Sequence, residues 1–135
     1  MKRNILLSLP VLIGGALGAL CRIHSDSAIM AAMGGHFPLG LLCVNMAGSF
    51  LMGLLMGAIA RTGAGRACTP WLNAFVGTGF LGGFTTFSSF ALDTVRLYQQ
   101  GHMNFALLNI GLNVGLCIAL AGIGWTILAP KNTDA

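Results

Sequence analysis

Residues 77–90 read GTGFLGGFTTFSSF, and this stretch determines how the rest of the chain is interpreted. It lies within an apolar segment long enough to cross a bilayer, yet it combines glycines, hydroxyl side chains and phenylalanines. Glycine weakens a helix interior, and a hydroxyl group in hydrocarbon is costly unless it has a hydrogen-bonding partner. A simple membrane anchor needs none of these residues. An interrupted helix that binds or passes something polar could use all of them.

The composition of the whole chain indicates a membrane protein. Of its 135 residues, 56% are hydrophobic and only 7% are charged, whereas soluble domains carry about 25% charged residues. So few charges cannot cover a water-facing surface, and the lipid bilayer is therefore the expected solvent. The formal net charge is +4, but the basic residues are scattered at segment ends, so nucleic-acid binding is not expected. No disulfide or metal site is expected from the cysteines, which form no C-x-x-C pair: Cys21, Cys43, Cys68 and Cys117.

Four apolar segments approach the length of about 20 residues that spans a bilayer. They cover residues 5–21, 39–60, 71–97 and 105–128, and together they predict an all-α membrane protein with one domain over residues 1–135. The first segment follows Lys2 and Arg3 and so resembles a signal peptide. Because three further spans follow it, we interpret it as a retained helix.

The basic residues and the glycines add two weaker expectations. Five basic residues fall on one side of the predicted spans and two on the other, which favours cytoplasmic termini: Lys2, Arg3, Arg61, Arg66 and Lys131 against Arg22 and Arg96. Glycines four residues apart occur in every span and predict close helix packing or oligomerisation: Gly14 and Gly18, Gly53 and Gly57, Gly79 and Gly83, Gly111 and Gly115.

The polar residues of the spans are neutral. The chain has no glutamate, and its aspartates lie at predicted span ends or in the tail, so no catalytic set can be assembled and a proton relay for coupled export is missing. Asparagine amides and hydroxyls can donate to an anion without carrying charge, or they can join helices together. Phe87 and Phe90 share a helix face, where their ring edges could attract an anion or simply pack. Gly82-Gly83 is expected to break the third helix and free carbonyls, which either a bound cation or threonine hydroxyls could satisfy.

These residues, taken together, resemble the Fluc (CrcB) family of fluoride channels. The most specific element is residues 79–90, which are similar to the family's third helix, broken in its middle. Further matches follow the other spans: residues 14–19 with Arg22, residues 38–40, Asn45, residues 48–50, Gly53, Gly101 and residues 106–109.

The resemblance implies an antiparallel, dual-topology homodimer in the bacterial inner membrane, enclosing two fluoride pores. It also implies a structural Na⁺ at the dimer centre, held by the backbone carbonyls of Gly82 and Thr85 from both protomers. Sodium is not transported in the family.

The resemblance also assigns roles to individual residues. Phe87 and Phe90 match phenylalanines whose ring edges face fluoride, and Asn45 matches a pore-lining amide. Further pore and vestibule positions follow from the same match: Ser88, Ser89, Asn109 and Asn113 in the pore, and Arg22 at the vestibule. Many relatives have Tyr and Ser where this chain has Asn109 and Asn113.

The sequence therefore predicts a passive, fluoride-selective channel that lowers cytoplasmic fluoride, and not an enzyme. Two alternatives remain at this point: a small multidrug-type exporter and a membrane scaffold that transports nothing.

Overall fold

The computed structural model describes the backbone of residues 2–62 and 70–130 and the side chains of residues 7–61 and 70–130. Within these ranges every regular element is a helix. The elements are α1 (Lys2–Met33), α2 (Leu39–Thr62), a composite α3 that begins at Pro70 and ends at Phe84, α4 (Phe87–Gln99) and α5 (Met103–Leu128). Arg66, Cys68 and Lys131 lie outside the described residues, as does most of the connector predicted between the second and third spans.

The prediction of four membrane spans is confirmed. Four stretches are long and apolar enough to cross a membrane: Leu7–Met33, Leu39–Arg61, Pro70–Gln99 and Met103–Leu128. The first helix is longer than expected, because it does not end at Cys21 but continues to Met33 through residues that the sequence placed in a connector. Pro10 lies inside α1, and α1 ends where Gly34 and Gly35 adopt positive φ angles of 63° and 100°, which glycine tolerates best.

Glycine contacts hold α1 against α3. A Cβ atom on Gly83 would overlap the Gly15 carbonyl, and one on Gly18 would overlap the carbonyl of Phe80. Gly79 lies opposite Val11 and Gly14. The contact positions increase together along both chains, so the two helices are parallel and their backbones approach as closely as small residues allow.

The helices α2 and α5 form a second parallel pair, and this is the most extensive helix contact in the described chain. Gly53 packs on the carbonyl of Ala121. A Cβ atom added to Gly57 would lie 2.6 Å from the carbonyl oxygen of Trp125. Gly111 and Gly115 behave differently, since a Cβ on either would meet nothing within 4 Å. Three of the four predicted glycine pairs therefore pack within the chain, and the pair on α5 faces outward.

The third span changes its helical form along its length. Pro70–Leu72 is α-helical, Asn73–Leu81 is a π-helix, and Gly82–Phe84 is again α-helical. Thr85 (φ −85°, ψ 155°) and Thr86 (φ −153°, ψ 127°) are extended, and α4 begins at Phe87. The expectation that Gly82-Gly83 opens the backbone is wrong at that position, since Gly82 has helical angles of −65° and −34°. Its neighbour Gly83 instead lets α3 approach α1.

Candidate functional site

Asn45 of α2 bonds to the peptide groups of Thr86 in the extended segment. In a continuous helix the Thr86 N–H would donate to the Gly82 carbonyl. Here it donates to Asn45 Oδ1 at 3.0 Å, and Asn45 Nδ2 donates back to the Thr86 carbonyl at 3.2 Å. Asn45 is 8% exposed. Its amide thus takes the place of a neighbouring backbone group as the hydrogen-bonding partner that a part-buried, non-helical peptide group needs.

Other groups satisfy the backbone on either side of Thr86. The N–H and the hydroxyl of Thr85 both donate to the Leu81 carbonyl at 3.0 Å. Arg22 of α1 donates from Nε to the Gly83 carbonyl at 3.3 Å. The Ser89 N–H donates to Thr86 Oγ1 at 3.3 Å, which makes Thr86 the N-cap of α4. Threonine hydroxyls therefore satisfy part of the opened backbone, one of the two solutions left open by the sequence.

The Gly82 carbonyl is the group that loses its helical donor in this arrangement. The Thr86 N–H, its expected partner four residues on, bonds to Asn45 instead. Gly82 is also exposed in the chain. A carbonyl oxygen at this place is available to a ligand or to a second chain.

A chain of asparagine side chains continues from Asn45 into α5. Asn45 Nδ2 donates to Asn113 Oδ1 at 3.0 Å, and Asn113 Nδ2 donates to Asn109 Oδ1 at 2.9 Å. Asn109 Nδ2 in turn donates to the Thr94 hydroxyl of α4 at 2.9 Å. Asn109 and Asn113 are 1% and 6% exposed. We call these three residues, Asn45, Asn113 and Asn109, the amide chain.

A groove of about 190 Å³ opens beside the amide chain, at the junction of α2, α4 and α5. Its lining contains no charged side chain: Asn45, Ser49, Thr85, Thr86, Phe87, Phe90, Asn113, Val114 and Cys117. It offers amides, hydroxyls, aromatic rings and aliphatic groups. Such a surface can solvate an ion partly while holding it weakly, because no fixed opposite charge is present.

Two phenylalanines form one wall of the groove. The rings of Phe87 and Phe90 meet edge to face, with centroids 5.3 Å apart and an angle of 62° between planes. Phe90 is 7% exposed, whereas Phe87 is 77% exposed. An aromatic ring this open on a membrane helix faces either lipid or another protein chain.

Comparison with known proteins identifies the family. A model of the CrcB-like, camphor resistance (CrcB) proteins matches residues 9–125. The chain belongs to the CrcB family. Relatives in it named fluoride-specific ion channel FluC include that of Aeromonas salmonicida, 42% identical over 118 residues that cover 87% of this chain and 92% of the relative.

Two further relatives of the CrcB family carry the same name. The FluC of Cereibacter sphaeroides is 45% identical over 123 residues, covering 87% of this chain and 94% of the relative. That of Pseudoalteromonas translucida is 40% identical over 122 residues, covering 90% and 99% respectively.

The structure brings most of the site residues predicted from the CrcB resemblance into one neighbourhood. Asn45, Phe87, Phe90 and Asn113 line the groove. Ser88 and Ser89 lie at its edge through bonds to Thr86, where Ser88 Oγ is 3.1 Å from Thr86 Oγ1. Three predicted residues lie away from the lining: Asn109 is buried behind it, Arg22 contacts the Gly83 carbonyl, and Gly82 is exposed on α3.

Sequence reasoning gave no site role to Thr94 or Cys117, and it treated Thr86 and Ser49 only as two of the neutral hydrogen-bonding groups of the spans. A periodic signal could have singled out Ser49 and Cys117. Residues 45, 49, 53 and 57 form a stripe at four-residue spacing on α2, and residues 109, 113, 117, 121 and 125 form one on α5. Residues four apart share a helix face. The two stripes contact each other, through asparagine side chains at their polar beginning and through Gly53 and Ala121 in their second half.

Proposed function

We propose that this chain is a fluoride-selective channel that passes F⁻ passively across the membrane and so lowers cytoplasmic fluoride. The observation that carries the proposal is its similarity, over 87–90% of its length, to relatives named fluoride-specific ion channels. The uncharged groove supports the same conclusion. An ion channel also agrees with the absence of a catalytic set in the sequence.

The groove has the chemistry that fluoride conduction needs. Fluoride is small and holds its water tightly, so a selective pathway must replace water with donors and still let the ion leave. The hydroxyls of Ser88 and Ser89 are neutral donors near the groove, and Phe87 and Phe90 can present weakly positive ring edges. Asn45 lines the groove as its pore-facing amide, with an Nδ2 that already donates to Thr86 and Asn113. Asn109 and Asn113 extend this polar track, and Arg22 provides a positive charge beside it at the vestibule.

The functional unit in this proposal is an antiparallel, dual-topology homodimer with a broken third span. The extended segment Thr85–Thr86 is the break, with α3 and α4 as its two halves. Two outward-facing features support a partner chain: Phe87 is 77% exposed, and Gly111 and Gly115 of α5 have no neighbour within 4 Å of an added Cβ. A second copy would cover the open side of the groove and complete the pathway.

A structural Na⁺ belongs to this proposal. Hard cations prefer oxygen ligands, and the opened backbone supplies carbonyl oxygens at Gly82 and Thr85. The Gly82 carbonyl fits because it lacks its helical donor and is exposed. Both carbonyls, contributed by each protomer, would hold the ion and tie the two chains together.

The multi-pass membrane location follows from the four apolar helices. We propose the bacterial inner membrane, because the relatives come from bacteria and a passive fluoride exit must cross the membrane that encloses the cytoplasm.

A liposome assay tests the function. Purified protein is reconstituted into vesicles loaded with potassium fluoride or potassium chloride, and efflux is followed with anion-selective electrodes after valinomycin is added. We expect rapid fluoride efflux and no chloride efflux above that of protein-free vesicles. Equal rates for the two anions would contradict selectivity, and no efflux of either would favour a scaffold that does not transport.

A further inference from the structure

The hydrogen bonds of the amide chain all run in one direction. Each asparagine donates from its Nδ2 to the next acceptor: Asn45 to Asn113, Asn113 to Asn109 and Asn109 to the Thr94 hydroxyl. Thr94 then donates to the Phe90 carbonyl at 2.8 Å. This series of hydrogen bonds begins at Thr86 in the third span and passes through Asn45 of α2 and the two asparagines of α5. It ends at Thr94, about two helical turns farther along the third span.

None of these amides can reverse without a penalty. Reversing Asn113 would turn its NH₂ toward the NH₂ of Asn45 and its oxygen toward two oxygens of Asn109, at 3.2 Å and 2.9 Å in the present arrangement. Reversing Asn45 would place an NH₂ against the Thr86 N–H. An amide has one accepting and one donating end, so each residue fixes the orientation of the next.

Burial makes these bonds matter. The exposed fractions of Asn45, Asn113 and Asn109 are 8%, 6% and 1%, so little water reaches these side chains to replace a lost partner. An unpaired polar group in such a place costs more than the bond itself contributes. Connected bonds in a medium of low dielectric also strengthen each other.

The side chain of Asn113 is engaged by its neighbours at both ends. Its Nδ2 donates to the backbone carbonyl and to the side-chain oxygen of Asn109, and its own oxygen accepts from Asn45. Asn109 lies behind Asn113 and does not line the groove. Each of the two side chains is therefore placed to hold the next amide of the amide chain: Asn109 holds Asn113, and Asn113 holds Asn45.

We infer that Asn113 and Asn109 are positioning residues, which hold the Asn45 amide in the one orientation that pairs with both the N–H and the carbonyl of Thr86. They act on the groove through Asn45 and are not ligands of the permeating ion. Only the predicted effect on fluoride flux rests on the proposed function. The orientation of the amide chain and its effect on Thr86 stand on the contacts alone.

The test measures hydrogen exchange at single amides by NMR in detergent micelles. Asn113→Leu and Asn109→Leu remove the polar ends with little change in volume, and Asn104→Leu, at an exposed asparagine of the same helix, is the matched control. We expect the Thr86 amide to exchange about tenfold faster in the first two variants and unchanged in the control. The Val44 amide in the core of α2 reports overall stability and should accelerate clearly less than the Thr86 amide.

A second measurement asks whether the effect passes through Asn45. In an Asn45→Ala background, adding Asn113→Leu should leave the Thr86 exchange rate where Asn45→Ala alone puts it. An unchanged Thr86 rate in both single variants would overturn the inference. So would equal acceleration at Thr86 and Val44, or a further tenfold acceleration in the double variant.

Flux separates this inference from the proposed function. Asn113→Leu should lower the fluoride efflux rate by about tenfold, whereas Asn104→Leu should not. If the wild-type protein passes no fluoride, the proposed function fails, yet the exchange rates at Thr86 still decide the role of the amide chain.

Discussion

The side-chain amide of Asn45 pairs with both peptide groups of Thr86, accepting at 3.0 Å and donating at 3.2 Å. The asparagine amide can do both, whereas the carboxylate of an aspartate cannot donate and a leucine can do neither. The extended backbone of the third span therefore depends on a residue that lies 41 positions earlier in the chain.

Asn45→Leu should destabilise the protein and stop conduction. The substitution leaves the N–H and the carbonyl of Thr86 unpaired, and Asn113 Oδ1 loses the donor that Asn45 provides. We therefore expect a loss of about 2–4 kcal/mol in the free energy of unfolding. Unfolding in a graded series of denaturing detergent measures this loss. Ser49→Ala, one turn along the same face of α2, is the control and should change stability by less than about 1 kcal/mol. A loss no greater than that of the control would contradict the role assigned to Asn45.

Phe87→Ala and Phe90→Ala should both reduce fluoride efflux, but they should differ in stability. Phe90 is 7% exposed and Phe87 is 77% exposed, so truncating Phe90 should cost about 3 kcal/mol or more and truncating Phe87 far less. Fluoride efflux from liposomes and thermal unfolding are measured on the same preparations. Leu92→Ala, at a half-exposed apolar position of α4, provides the control. Normal efflux in both phenylalanine variants would contradict a role in conduction and would mean that the two rings only pack against neighbouring groups.

The sequence predicted the architecture well because its strongest signals are physical requirements of the bilayer. Spans of about 20 apolar residues predicted the number of membrane spans, and glycines four apart predicted close packing without saying which helices pack together. The exact position of the extended segment could not be read in the same way. Glycine is compatible with both a break and a close approach, and at Gly83 the approach to Gly15 prevails.

The amide chain was beyond sequence reasoning for a related reason. Asn109 and Asn113 were recognised as sharing a face, but their partners Asn45 and Thr94 come from other helices. Pairing across helices depends on their register, which the glycine contacts set over the whole length of α2 and α5. Which end of each side-chain amide donates and which accepts is then determined by the neighbouring side chains. The identity of a single asparagine in the sequence does not reveal it.

Gly83→Ala should prevent close packing of α1 on α3. The added methyl group would overlap the Gly15 carbonyl, which belongs to the backbone and cannot move aside. We expect a loss of about 2 kcal/mol or more in stability, as in an overpacked core. Gly122→Ala is the matched control, since nothing lies within 4 Å of its added Cβ, and it should be neutral or slightly stabilising because alanine favours helix over glycine by about 1 kcal/mol. Similar effects for the two substitutions would contradict the packing of α1 on α3.

Removing sodium should weaken the assembled protein if the carbonyls of Gly82 and Thr85 hold a cation. The ion would neutralise converging carbonyl dipoles, so without it these oxygens repel each other and the two protomers lose a shared ligand. The measurement exchanges Na⁺ for N-methyl-D-glucamine at constant ionic strength and follows the dimer fraction by crosslinking, with fluoride efflux measured in parallel. We expect both to fall and to recover when Na⁺ is restored. An equal exchange of chloride for gluconate at constant Na⁺ is the control, and unchanged dimer and efflux without Na⁺ would argue against a cation at this place.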